Sequence, residues 1–241
     1  NYNNLELDEN GFLFATTVNT DAYAVAAAIR SGGGDNQFLP VRLLNYNGED
    51  ILVRSGVFPP AGDVDFEVGA AGIITDMNQK GPSTIVDVAV GKNGCYTLAD
   101  EKRGKIFAYD GNGNLLYAFG GTGYQNGLFV RLAGITYQGD TLLALDGGSG
   151  RITAFVPTAY GRLLASAIDC TENRRYDEAV EAWREIRLQN NGFDLAYVGI
   201  AESLMRQNDY TGAMSYYKNA DDVEGYSKAF GQYRKDAVGN Y

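Results

Sequence analysis

The side chains that could do chemistry in this 241-residue chain are carboxylates, two thiols and a few cations; there is no histidine. Without an imidazole, His-dependent triads, His-ligated zinc and imidazole acid–base catalysis are all removed. Asp100 and Asp146 each end an apolar run and stand before a tight turn. The chemistry favoured there is turn fixing, a carboxylate holding the next backbone amides, ahead of ligand or metal binding. A carboxylate-only calcium site made from such turn acids is the metal alternative; no metal and no cofactor is assigned. Lys102 and Arg103 share the Asp100 tip and are candidate cations for a partner groove. Cys95 and Cys170 read as two buried free thiols. A disulfide joining the two halves of the chain is the other arrangement the residues leave open.

The formal charge is −10 and the pI about 4.5. A field of that sign repels phosphate, so nucleic acid and anionic membrane surfaces are poor partners. The basic pairs Lys102-Arg103 and Arg174-Arg175 are diluted by Glu101 and Glu172. No run of about 18 apolar residues is present, so nothing in the chain reads as a membrane span. The chain opens at Asn1 without a Met or a charged-then-apolar leader, and it is expected to be a piece of a longer protein.

These candidates must be held by repeated elements. Ile85–Gly91, Cys95–Asp100, Lys105–Asp110 and Leu115–Gly120 read as four short strands joined by Gly/Asn turns, one antiparallel meander. Thr141–Asp146 and Arg151–Phe155 repeat the second and third of these 46 residues further on. Ala133–Tyr137 supplies a first strand, and Leu163–Ala167 supplies either a fourth strand or part of a helix. A looser copy opens the chain: Leu5–Thr17 reads as a hairpin, Arg42–Gly48 resembles Lys105–Gly111, and Ile51–Gly56 resembles a closing strand. Between them lies an insertion, about 21–40, containing Ser31-Gly-Gly-Gly-Asp35.

Four strands per unit of about 40–46 residues is the pattern of a β-propeller blade. Gly94-Cys-Tyr-Thr-Leu-Ala-Asp100 followed by Gly104-Lys-Ile-Phe-Ala-Tyr-Asp-Gly-Asn-Gly-Asn-Leu115 resembles the NHL repeat. The expected blades are about 2–56, 82–121 and 130–158 of a domain spanning 1–158. Propellers close with about 4–8 blades, so three leave an open flank: the expectation is either that further blades precede Asn1 in the natural protein, which the missing start favours, or that a homodimer of the truncated propeller buries the flank.

From about Pro157 the period changes. Tyr176–Trp183 aligns with Tyr210–Tyr217 at a spacing of 34, and Ala167 aligns with Ala201 at the same spacing. That is the TPR repeat length, with small residues where helices cross and an aromatic one turn away. Asn208-Asp209 stops one helix and caps the next, Asn190-Asn-Gly192 ends another, and Tyr226–Arg234 reads as a further amphipathic helix. The expected second domain is therefore a TPR-like pair over 159–241. Its first helices carry Tyr197, Glu202, Ser203 and Arg206 as candidate groove residues for a peptide; a plain spacer with a solvated face is the competing reading.

Taken together, Asp100–Gly104, Asn112–Gly121, Pro157–Gly161, Ala196–Ile200, Asp209–Met214 and Tyr226–Phe230 resemble an uncharacterised family of Gram-positive gut-type bacteria. The resemblance is clearest from about residue 82 onward. It implies a secretion signal, NHL blades, a TPR segment and a following hydrophobic Yip-type membrane domain, hence a membrane-anchored protein at the extracytoplasmic cell surface. It implies no activity. The expected fold is mixed, partial β-propeller then helical repeat. The expected function is a non-catalytic binding or scaffold module for protein, peptide or glycan, with Lys102, Arg103, Tyr197, Glu202 and Arg206 as partner-binding candidates. The alternatives are a propeller enzyme of the lyase or lactonase kind, which usually needs histidine among its metal ligands, and a purely structural stalk.

Overall fold

The computed structural model describes residues 2–17, 24, 38–54, 60–63 and 82–239. The chain divides into two compact units, Asn1–Val156 and Pro157–Tyr241. The first is a stack of antiparallel sheets and the second a run of helices.

Sheet 1 holds β1 (Asn4–Leu7), β2 (Leu13–Thr16) and β3 (Val41–Leu44), in that order. Sheet 2 holds β4 (Ile85–Val90), β5 (Tyr96–Asp100), β6 (Lys105–Tyr109) and β7 (Leu115–Gly120). Sheet 3 holds β8 (Leu132–Gln138), β9 (Thr141–Asp146) and β10 (Arg151–Phe155). Each is a simple meander; in sheets 2 and 3 the turns are too short for any other connection, whereas β2 and β3 of sheet 1 pair with residues 17–40 between them.

Side-chain alternation along the strands decides how the sheets stack. Tyr96, Leu98, Phe107 and Tyr109 leave one face of sheet 2 and pack with Phe14, Val41 and Leu52 beside sheet 1. Ala99 and Ile106 leave the other face and pack with Phe129, Leu132, Ile135, Leu142 and Ala144 toward sheet 3. Sheet 2 is therefore covered on both faces, and β5 is buried at every residue. Each large side chain so buried is worth about 1.5–3 kcal/mol. The small residues Ala99, Ala108 and Ala144 let the sheets approach on the sheet 3 side.

Turn chemistry corrects the alignment of sheet 1 with sheet 2. Asp110 Oδ1 accepts the amides of Asn112 at 2.9 Å and Asn114 at 2.8 Å. Asn45 Oδ1 accepts those of Asn47 at 2.9 Å and Glu49 at 3.0 Å in the same way. These Asx turns make Asn45 the counterpart of Asp110, so matching Arg42–Gly48 to Lys105–Gly111 is two residues out of step.

One expected strand is missing among the described residues, and the segment that read as either strand or helix is helical. At 51–54 there is one bridge, Leu44 to Asp50, and one bond from the Ile51 amide to Leu43. The Asp50 carboxylate draws the backbone off the ladder by accepting the Leu43 and Leu52 amides and the Arg54 guanidinium. Residues 55–56 of that expected strand lie outside the described residues. Leu163–Ala167 is helical, and the Thr158 hydroxyl caps the start of that helix by accepting the Gly161 amide at 3.1 Å. Among the described residues, sheets 1 and 3 thus have three strands each, where four were expected. The insertion at 21–40, with Ser31–Asp35, lies almost wholly outside the described residues.

Among the described residues the second unit has five helices: α1 (Ala159–Glu172), α2 (Tyr176–Gln189), α3 (Asp194–Arg206), α4 (Tyr210–Asn219) and α5 (Val223–Gly239). Each packs on the next. Ala167, Ala179, Ala201 and Ala213, the residues paired at a spacing of 34, are all 0% exposed. Arg174 and Asn208, also 34 apart, both take left-handed backbone at the turn between helices, with φ of 59° and 64°. Trp183 and Tyr217 are buried. A methyl group on Gly199 would lie 2.5 Å from the Trp183 indole, so glycine is what allows α3 to sit against that ring. Among the described residues no helix is long and apolar enough to cross a membrane.

Candidate partner-binding surfaces

The Asp100 tip is built from the residue that ends β5. Its carboxylate is fully buried and accepts the Ser83 hydroxyl at 2.6 Å, the Thr84 amide at 2.9 Å and the Lys102 amide at 3.0 Å. Arg103 lies 3.3 Å from the same carboxylate and 3.5 Å from Asp63, which Lys105 also reaches at 2.8 Å. The Arg103 side chain is only 12% exposed. Arg103 is thus engaged inside the tip, and Lys102 uses its backbone there to close the turn. A network of charges paired in this way fixes a loop rather than offering cations to a ligand.

Asp146 repeats the design at the end of β9. It accepts the amides of Val130 (3.0 Å), Arg131 (2.9 Å) and Gly148 (3.0 Å) and the Ser149 hydroxyl (2.6 Å). Burial pushes this carboxyl up, but the Ser149 hydroxyl and the three amides outweigh it and hold it well below the usual carboxylate range. Both aspartates therefore fix turns, as their position in the sequence suggests.

Candidates on the helices fall on two sides of α3. Tyr197 donates to Asn191 Oδ1 at 2.6 Å and lies under the Arg187 guanidinium at 5.8 Å, so it pins the turn from α2 to α3. Glu202 and Arg206 lie one helical turn apart and both are exposed. They face Tyr217 of α4, whose hydroxyl is pushed far up by burial, with the Glu202 and Asp222 carboxylates adding and Arg206 opposing. Tyr197 is five and nine residues from these two, which places it on the far side of the helix. A single groove lined by Tyr197, Glu202 and Arg206 together is not formed.

Two open hollows accompany these sites. One, of about 380 Å³, runs between β10 and the loop before β8, lined by Gln125, Asn126, Leu128, Arg151, Ile152 and Thr153 among others. The other, of about 270 Å³, lies between the start of α4 and the end of α5, with Asp209, Tyr210, Tyr233 and Asp236 in its wall. Neither hollow carries a sequence motif. The signal for the first is indirect: a fourth strand for the third run rests only on Leu163–Ala167, which reads equally as helix. Cys170 is buried and Cys95 half-buried, and both are free thiols. Among the described residues no three His, Cys, Asp or Glu side chains are grouped as a metal ion would require. The chain matches no known family model and no curated protein.

Proposed function

We propose that this chain is a non-catalytic binding or scaffold module, made of NHL-type propeller blades followed by a TPR-like helical pair. The observation that carries the reading is the stacking of three meanders face to face, with the first strands β1, β4 and β8 next to one another. Blades around a propeller axis pack in this manner. The buried alanines and left-handed turn residues repeated at 34 support the helical part of the reading. Such architectures present surfaces for other molecules, here a protein, peptide or glycan. An extracytoplasmic place on a membrane-anchored protein follows from the family resemblance alone.

The test is a binding screen with the immobilised chain against cell-wall polysaccharides and secreted proteins. Saturable binding of one class supports the module. Uniform absence of binding, or turnover of any substrate offered, overturns it.

A further inference from the structure

The three sheets of the first unit differ in how their outermost strand ends, and that difference marks a surface. In sheet 2, β6 is covered by β7, paired antiparallel from Lys105–Gly120 to Tyr109–Leu115. In sheet 1, the Asp50–Arg54 segment lies along β3, with the Ile51 amide bonded to Leu43 and Arg54 to the Val41 carbonyl. In sheet 3, β10 is paired to β9 alone among the described residues. β10 corresponds to β6 at 46 residues' distance, and the chain that would supply its neighbour is helix α1.

An open strand edge presents a row of backbone donors and acceptors, and proteins normally blunt it with Lys, Pro or a covering loop. β10, Arg-Ile-Thr-Ala-Phe, has neither Lys nor Pro. Beside it runs the hollow of about 380 Å³ whose opposite wall is Gln125, Asn126 and Leu128. Ile152 stands 69% exposed and Leu145, paired to it on β9, 43% exposed, so the apolar face continues to the edge.

We infer that the β10 edge is the acceptor for an extended peptide of a partner protein, which adds to sheet 3 as a fourth antiparallel strand. This rests on the reading of the chain as a binding module. The chemistry of the guest follows from the equivalent edge. Beside Ile106 and Ala108, the counterparts of Ile152 and Ala154, β7 places Phe119 and Tyr117. The guest therefore carries large apolar residues at alternate positions on that side. At the end beside the exposed Arg151, whose guanidinium reaches the Ser149 hydroxyl at 3.1 Å, an acidic residue complements the charge. Main-chain bonds give such strand addition its affinity and the alternate side chains its selectivity.

The experiment uses the whole chain and a synthetic peptide of its own β7 sequence, Asn114–Gly121, carrying two terminal aspartates, with a scrambled peptide as control. Saturable binding of the ordered peptide alone is expected. Ile152→Lys, at an exposed position that leaves the core intact, is expected to weaken it at least about tenfold with unchanged circular dichroism. Binding that persists in I152K moves the site off β10 and overturns the edge assignment while leaving the module reading intact. Absence of peptide binding overturns it too, and the ligand screen then judges the module separately. A dimer that I152K dissociates, with no peptide bound, gives the edge to a second copy and equally overturns the proposal.

Discussion

Asp87, on the first strand of sheet 2, accepts the amide of Ile135 on the first strand of sheet 3 at 2.6 Å. It also takes its neighbour Val88 at 2.9 Å, and the side chain is buried between the sheets. A methyl group on Gly134 would come within 3.2 Å of the same carboxylate, so β8 is shaped to admit it. The bond ties two sheets across 48 residues where both first strands carry a bulge, at Ile85/Asp87 and Leu132/Gly134.

Burial pushes the Asp87 carboxyl above its ordinary value, the two amides oppose this, and Glu6 adds a smaller push upward. A group raised in the folded state binds its proton more tightly there than in the unfolded chain. Its stabilising contribution is thus full below the unfolded value and lost as pH rises through the folded one. Urea unfolding of the wild type and Asp87→Asn should show the wild type gaining on the variant as pH falls from about 7 toward about 4. A difference that stays constant with pH contradicts this account of Asp87.

The Asp100 tip makes a second prediction. Asp100→Ala leaves the Ser83 hydroxyl and the Thr84 amide without their buried acceptor. At about 1–3 kcal/mol for each of these two stranded groups, the loss should be about 2–6 kcal/mol by denaturant unfolding. Arg103→Ala, which removes a partner at 3.3 Å from the rim of the same network, should cost less, about 1–2 kcal/mol. A neutral D100A variant would mean that the tip does not depend on its carboxylate.

Much of this was legible in the residues and some was not. Sheet 2 is readable because its four runs alternate cleanly and each turn has a Gly or Asn where the backbone must reverse, as at Asn93 and Gly94, both with positive φ. The helical unit is readable because alanines at 167, 179, 201 and 213 mark where helices cross. The rest was hidden for physical reasons. Leu163–Ala167 reads as either strand or helix, and Thr158, capping a helix ahead of it, decides the matter. Ile51–Arg54 has strand residues, but the Asp50 carboxylate takes the Leu52 amide. Arg103 reads as a free cation in sequence because its partner Asp63 lies 40 residues away.

The helical unit has its own probe, since Trp183 is the one tryptophan of the chain. Gly199→Ala gains up to about 1 kcal/mol of helix propensity but drives a methyl to 2.5 Å from the indole. Overpacking of that kind costs about 1–3 kcal/mol, so the variant should unfold earlier when followed by Trp183 fluorescence, with a shifted emission in the folded state. A stabilised variant with unchanged emission would mean that the ring and α3 are not in contact.

Among the described residues sheet 3 ends in β10, an open strand able to take another. Hydrogen exchange of the amides in Arg151–Phe155, with and without the β7 peptide, reads it directly. The outward-facing amides of β10 should exchange quickly in the free chain, while those of β6, held under β7, stay protected, and the peptide should slow the β10 amides. Full protection of β10 before any peptide is added would contradict the account.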